Sequence, residues 1–206
     1  MRVADFVIKF LESKKISTVF TVSGGGSIFL CDALYKSKKL KYVSCHHEQA
    51  VSFAAESFSR VKNKPGAAII TTGPGGTNCT TGVACCWIDS VPTMFISGQV
   101  YLNQTIKNTK LRQIGVQEFD IINMVKSSTK YAVMIKDPTE IKYHLEKAYY
   151  TSSEGRPGPV WIDIPADIQN AEINHKNLKT FLPPKKIFKK NLIDKKIKKI
   201  AKLLSK

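Results

Sequence analysis

Three short stretches that are apolar at almost every position restrict the fold of this chain more than any other feature. They cover residues 67–71, 93–98 and 160–164, and each has the length of a β-strand. A strand has this composition when both of its faces are buried, as in parallel sheets covered by helices on both sides. Stretches with helical periodicity, such as residues 3–14 and 138–150, alternate with these runs. The sequence therefore predicts an α/β fold with a doubly wound, mainly parallel sheet and helices on both faces.

The composition changes after residue 170, and this change divides the chain. Residues 171–190 contain Pro183-Pro184 and several lysines, a pattern typical of a linker. Residues 191–206 repeat apolar positions at helical spacing, with lysines on the opposite side. We expect one domain over residues 1–170, a linker over 171–190, and over 191–206 the first helix of a central domain that this chain does not contain.

Positive charge is concentrated in the same C-terminal part. The chain has a net charge of +16, and residues 176–206, with 12 lysines and Asp194 as their one acid, contribute +11 of it. A nucleic-acid site needs base-stacking or groove-reading groups beside its basic patch. This tail offers only Phe181 and Phe188 as aromatic residues. We therefore interpret the lysines as a solvated helix face and expect no nucleic-acid partner.

Three negative observations indicate the compartment. No run approaches 18 consecutive apolar residues, so no membrane partner is expected. The N-terminal residues 1–14 lack the apolar core of a signal peptide. The five cysteines show neither CxxC spacing nor a pairing pattern with histidines, which favours reduced, buried thiols and no metal site. Together these features predict a cytoplasmic protein.

Two glycine-rich segments directly follow predicted strands. Gly24 and Gly25 follow the run at 19–22, and residues 72–78 follow the run at 67–71 and open a helix. Backbone N–H groups at such a helix start can bind a ligand. The second segment lacks the Gly-Lys-Ser/Thr ending of a P-loop. A cofactor loop, a phosphate site for a nucleotide and a tight turn without a ligand all remain open.

The segment between the strands predicted at 93–98 and 131–135 has no strand pattern. Residues 101–116 are polar and irregular, which indicates a long exposed loop. Residues 117–122 then begin a short helix.

Glu48 occupies the most informative single position. It lies where a β-rich run, residues 40–45, gives way to an alanine-rich helical run, residues 50–60. Its carboxylate is thus expected in the first turn of a helix at the carboxyl end of a strand, the edge where open α/β sheets bind ligands. An acid there also complements the helix dipole without any further role. Our hypothesis is that Glu48 is a catalytic carboxylate that acts on a bound cofactor.

Seven short motifs stand in an order that one enzyme family shares. They are His47–Ala50, Gly73–Asn78, Asp89–Pro92, Gly98-Gln99, Gln117-Glu118, Gly155–Val160 and Asp163–Pro165. Over residues 1–170 the chain resembles the N-terminal pyrimidine-binding domain of thiamine-diphosphate-dependent enzymes, a flavodoxin-like, three-layer domain. Within that family it is most similar to the large, catalytic subunit of acetolactate synthase.

The resemblance implies roles for several residues of these motifs and of the first glycine segment. In the family, the glutamate that corresponds to Glu48 hydrogen-bonds the ring nitrogen of the cofactor's aminopyrimidine and promotes loss of the thiazolium proton. Gln117 would reach toward the substrate or the cofactor. The pyrimidine pocket would be lined by Gly24, Gly25, Thr72, Pro74 and Asn78. The cofactor acts as the electron sink, while the protein positions it and tunes its electronics.

Three departures from the acetolactate synthase pattern leave the substrates open. Val116 replaces a usual phenylalanine, Ala166 replaces a usual lysine, and Val22–Gly25 stands where Tyr-Pro-Gly-Gly is usual. These positions lie near the substrate and flavin side of the family's site. Binding of FAD is therefore left open. A related lyase or decarboxylase that acts on a sugar-like substrate is the alternative, beside a non-catalytic interaction module of the same fold.

The resemblance also implies partners. In the family, a separate domain holds the diphosphate and Mg²⁺ through a Gly-Asp-Gly…Asn signature, and this chain contains no Gly-Asp-Gly. We expect that domain in cis or in trans, a 2-oxo acid substrate, and a homodimer or tetramer formed through the pyrimidine-binding domain. The isolated chain is expected to be inactive.

Overall fold

One parallel sheet organises the chain. The computed structural model describes residues 1–106, 109–185 and 190–205, and within them six strands pair in the order β2-β1-β3-β4-β6-β5. All five pairings are parallel. The strands are β1 (Thr18–Thr21), β2 (Lys41–Ser44), β3 (Gly66–Ile70), β4 (Thr93–Gln99), β5 (Tyr131–Met134) and β6 (Val160–Pro165). The continuous apolar runs form β3, β4 and β6, and every residue in these strands is buried.

Helices cover both faces of the sheet, so the predicted three-layer, doubly wound fold is confirmed. The helices are α1 (Val3–Ser13), α2 (Ile28–Lys36), α3 (Glu48–Lys62), α4 (Pro74–Asn78), α5 (Thr80–Ile88), α6 (Ile121–Val125), α7 (Ile141–Ser153), α8 (Ala166–Asn170) and α9 (Lys190–Leu204). Apolar residues of α1, α2, α7 and α8 pack on one face, and those of α3, α5 and α6 on the other. Alternate residues of β3 supply both cores: Ala67 and Ile69 join the first, Ala68 and Ile70 the second.

Small residues let α3 approach its neighbours closely. A Cβ atom at Gly66 would lie 2.0 Å from the backbone oxygen of Ala55, and one at Gly82 would lie 2.1 Å from the Ser52 hydroxyl oxygen. These two glycines therefore fix the distance of α3 from β3 and from α5. At the start of the helix, His47 Nδ1 accepts the Gln49 N–H at 3.1 Å and so caps α3. The first residue of α3 is Glu48.

The predicted helix start at Gln117 is wrong. The short helix α6 begins at Ile121, with Asp120 as its cap. Gln117 has a φ of 60°, which a helix does not allow. The preceding loop contains a turn of 3₁₀ helix at Leu102–Gln104. Its residues 107–108 lie outside the described part.

Contacts with the domain continue beyond Asn170. Ile173 belongs to the first core, and Leu178 packs against that core. The Phe181 ring lies 5.7 Å from Tyr143 and 5.6 Å from Tyr150. The division at residue 170 and the linker stay predictions, and residues 186–189 of that linker are not described.

Helix α9 confirms that the C-terminal periodicity is helical. The described side chains from residue 193 to 205 are all exposed. That α9 begins a central domain stays a prediction. None of the helices in the described ranges is both long and apolar enough to cross a bilayer.

Candidate active site

Glu48 lies at the carboxyl edge of the sheet, as its sequence position predicts. Strand β2 ends at Ser44, and α3 begins with Glu48 itself. The Asn78 side-chain amide donates to Glu48 Oε2 at 2.9 Å, and the Cys79 thiol donates to the Glu48 backbone oxygen at 3.2 Å. The end of the second glycine segment therefore holds this half-buried carboxylate in place.

The second glycine segment contacts the carboxylate through Gly75. A Cβ atom at Gly75 would lie 3.3 Å from Glu48 Oε1 and 2.6 Å from the Thr71 methyl carbon. A side chain at Gly75 would clash with Thr71 and press lightly on the carboxylate, so glycine lets both groups lie close to this segment. The structure thus brings together Glu48, Gly75 and Asn78, which belong to two motifs separated in the sequence.

The first glycine segment lies beside the second. The Gly26 N–H donates to Thr71 Oγ1 at 3.2 Å. A Cβ atom at Gly24 would lie 2.5 Å from Thr71 Cβ, whereas one at Gly25 would meet no atom within 4 Å. Gly24 is therefore packed against the end of β3, and Gly25 faces open space. That open space allows a ligand to approach the backbone closely.

Gln117 reaches the same edge from the loop before α6. Gly73 has a φ of 56°, and a Cβ atom there would lie 1.9 Å from the Gln117 backbone oxygen. The two loops therefore touch, and between them is a cleft of about 450 Å³. Residues of both loops line it: Pro74, Thr77, Gln113, Val116, Gln117, Glu118 and Phe119.

Glu118 differs from Gln117 because its side chain points inward. It is buried, and its carboxylate accepts the backbone N–H groups of Ile106 and Ile114. Glu118 therefore folds the loop back on itself. Gln117 remains exposed beside Pro74.

The Thr72 side chain, predicted to line the cofactor pocket, is turned into the interior. Its hydroxyl donates to Gln99 Oε1 at 2.5 Å, in a buried polar network that also contains Ser97 and Asp163. Thr72 could therefore contact a ligand only through its backbone.

Sequence reasoning gave no role to Gln99, Asp163 or Ser97. The sequence does contain a signal of a buried polar contact, because Ser97 and Asp163 are polar residues inside continuous apolar strands. Burial raises the pKa of Asp163 to about 7, and the charge of Asp120 adds to the rise. Hydrogen bonds from Ser97 and Gln99 to the carboxylate act in the opposite direction.

A larger cleft of about 680 Å³ lies beyond Gln99, along the carboxyl ends of β4, β6 and β5. Its walls include Leu102, Glu118 and Lys136. Glu48 is not among the residues that line this larger cleft, whereas the motif residues Gln99, Glu118 and Asp163 are. Glu118 lines both clefts. Across the described ranges, no group of three or more His, Cys, Asp and Glu side chains could hold a metal ion.

Comparisons with known proteins identify the family of this chain. Residues 1–124 match the family model described as thiamine pyrophosphate enzyme, N-terminal TPP binding domain. The chain therefore belongs to the thiamine pyrophosphate enzymes, and the resemblance drawn from its motifs is confirmed.

Within that family, its relatives include acetolactate synthases. The chain is 39% identical over 169 residues to the chloroplastic acetolactate synthase of Arabidopsis thaliana, which covers 81% of this chain and 24% of the relative. It is 38% identical over 177 residues to the probable acetolactate synthase large subunit of Methanocaldococcus jannaschii, or 84% and 28% of the two chains. It is 37% identical over 171 residues to the acetolactate synthase large subunit of Corynebacterium glutamicum, which covers 83% of this chain and 26% of the relative. The chain thus spans about a quarter of the length of these relatives.

Proposed function

We propose that this chain is the pyrimidine-binding part of a thiamine-diphosphate-dependent carboligase of the acetolactate synthase type, with Glu48 as its catalytic carboxylate. The observation that carries the proposal is the hydrogen bond from Asn78 to Glu48 beside Gly75. Two separate motifs meet there, at the sheet edge where ligands bind in this class of fold. The similarity to acetolactate synthases supports the reaction class.

The residues at this edge fit the pyrimidine ring of thiamine diphosphate. One carboxylate oxygen of Glu48 is bound by Asn78, and the other lies beside Gly75, where there is no side chain. Glu48 can therefore share a proton with a ring nitrogen, while Asn78 fixes its orientation. Gly25 leaves its backbone open to a flat ring, and Pro74 and Gln117 line the neighbouring cleft. When bound, the cofactor supplies the electron sink for decarboxylation of a 2-oxo acid.

The remaining parts of the site belong to partners in this proposal. A diphosphate-binding domain, in cis or in trans, would hold the diphosphate with Mg²⁺, since the described residues offer no metal cluster. A homodimer or tetramer would bring a second copy against α3 and α5, where Phe53 and Trp87 are exposed. The cytoplasmic location stays a prediction, and FAD is not part of this proposal.

One departure from the family pattern bears on the choice of 2-oxo acid and acceptor. Val116 is 82% exposed beside Gln117, where the resembling enzymes carry phenylalanine. A sugar-like substrate is therefore the second candidate. Turnover of pyruvate and of hydroxylated 2-oxo acids by the complete enzyme separates the two substrate classes.

The test of the proposal is Glu48→Gln in the complete enzyme, with the diphosphate-binding domain supplied in cis or in trans. Loss of a positioned acid–base group lowers turnover by about 10²–10⁴-fold. The matched control is Glu56→Gln, because Glu56 is also on α3 but is buried and paired with Arg60. We expect the control to lower stability and to keep turnover. Wild-type turnover in Glu48→Gln would remove Glu48 from the mechanism.

A further inference from the structure

One buried amide joins the two loops that form the candidate site. Gln99, at the end of β4, is 3% exposed. Its Oε1 accepts the Thr72 hydroxyl, at the base of the second glycine segment. Its Nε2 donates at 3.0 Å to the backbone oxygen of Phe119, in the loop that carries Gln117. A single side chain therefore connects Thr72 and Phe119, which are far apart in the sequence.

The contacts of Gln99 require both ends of an amide. Oε1 also accepts the Val100 N–H at 3.0 Å, so both of its partners are donors. Nε2 also donates to Asp163 Oδ2 at 3.1 Å, so both of its partners are acceptors. If the amide rotated by 180°, its NH₂ group would face the Val100 N–H, and its oxygen would face the Phe119 and Asp163 oxygens. The orientation of the amide, and with it the spacing of the two loops, is thus fixed.

The Asp163 carboxylate accepts a hydrogen bond from this amide. It is 1% exposed, and its other carboxylate oxygen accepts the Ser97 hydroxyl at 2.6 Å. Ser97 in turn accepts the Trp161 indole N–H at 2.8 Å. These three residues lie on β4 and β6, two strands in which every residue is buried. Gln99 is therefore anchored to the rigid core.

We infer that Gln99 is a positioning residue for the candidate active site, and that Asp163 is its anchor. The inference rests on the proposed function. The segment tied to Thr72 carries Pro74 and Asn78, and Asn78 binds the Glu48 carboxylate. The loop tied to Phe119 carries Gln117. Through these two loops, Gln99 sets where Asn78 and Gln117 stand relative to each other, without touching the cofactor.

Backbone hydrogen exchange in this chain tests the bridge without any cofactor. Gly75 and Thr77 report on the glycine segment, because their N–H groups donate to Thr72 and Gly73. Gly115 and Glu118 report on the other loop, because theirs donate to Gln104 and Gly115. Three variants with matched buried sites separate the contributions: Gln99→Leu, Thr72→Val and Ser97→Ala.

Gln99→Leu should raise exchange about tenfold at both pairs of amides, because each loop loses its buried partner. Thr72→Val should raise exchange at Gly75 and Thr77 alone. Ser97→Ala removes a hydrogen-bond partner from Asp163 and from Trp161, but Ser97 contacts neither loop. The exchange rates of both pairs of amides should therefore stay within about twofold of wild type. Should Gln99→Leu fail to fold, Thr72→Val still tests the bridge, since an equal rise at both pairs would overturn it.

The complete enzyme separates this inference from the proposed function. In Gln99→Leu the half-saturating concentration of thiamine diphosphate should rise about tenfold, whereas Glu48→Gln should lose turnover. Wild-type turnover in Glu48→Gln rejects the proposed function and leaves the exchange result standing. Wild-type exchange at all four amides in Gln99→Leu rejects the positioning role, whatever Glu48 does.

Discussion

At the scale of single residues, Asp163 makes stability depend on pH. Burial raises its pKa to about 7, whereas an unfolded chain releases this proton near pH 3.9, a typical value for aspartate. Between these two values the folded chain holds a proton that the unfolded chain has lost. Raising the pH through this window therefore lowers the free energy of unfolding, by up to roughly 4 kcal/mol, and the loss is complete above about pH 7.

Urea unfolding of wild type and Asp163→Asn at pH 5 and pH 8 measures this effect. The wild type should lose stability from pH 5 to pH 8, and the variant, which cannot titrate, should lose less. Asp137→Asn is the control, because hydrogen bonds from Thr139 lower the pKa of that carboxyl and place its titration below the window. An equal loss in wild type and Asp163→Asn would contradict the assignment.

The fold brings together some of the candidate site residues that the motifs indicate, whereas their roles stay predictions. Glu48 and Asn78 were assigned from different motifs, and the structure joins them at 2.9 Å. Thr72 was assigned to the same pocket, but its side chain points to Gln99. A sequence gives the identity of a side chain and not its direction. For the same reason, the polar residue Asp163 inside an apolar strand signals a buried contact, but its sequence position does not identify Gln99 as the partner.

At the scale of elements, the close approach of α3 to β3 predicts a sensitive position. Gly66→Ala would place a methyl group against the Ala55 backbone, which cannot rotate away. Overpacking of this kind lowers the free energy of unfolding by about 1–3 kcal/mol. Gly25→Ala is the matched control, because a Cβ atom there meets nothing within 4 Å. Urea midpoints measure both variants, and equal midpoints would show that α3 is not held at this distance.

The central elements were easier to predict than the peripheral ones. The buried strands β3, β4 and β6 carry apolar residues on both faces, so their composition alone identifies them. Helix α6 was placed too early because tertiary contacts decide its start. Glu118 binds the backbone of Ile106 and Ile114, and Gln117 takes a φ of 60°. No local sequence pattern predicts contacts of this kind.

At the scale of the whole molecule, the candidate site is open on one side. Glu48 starts α3, and the outer side of this helix and of its neighbour α5 exposes large apolar residues. They are Phe53, Val61, Trp87 and Ile88. Exposed apolar side chains that form one surface mark interaction sites. A second copy packed here by two-fold symmetry would bury these side chains along α3, the helix that begins with Glu48.

The assembly can be tested by sedimentation of the chain and two variants. Phe53→Glu introduces a charge on the outer face of α3 and should shift a dimer toward monomer by at least about tenfold in the dissociation constant, because an unpaired buried charge opposes association. Tyr35→Glu is the control, since Tyr35 is 75% exposed on α2, on the opposite side of the sheet. Equal dissociation constants for the two variants would place the contact between copies elsewhere. A strictly monomeric wild type would leave Glu48 without a second copy of this chain to close its site.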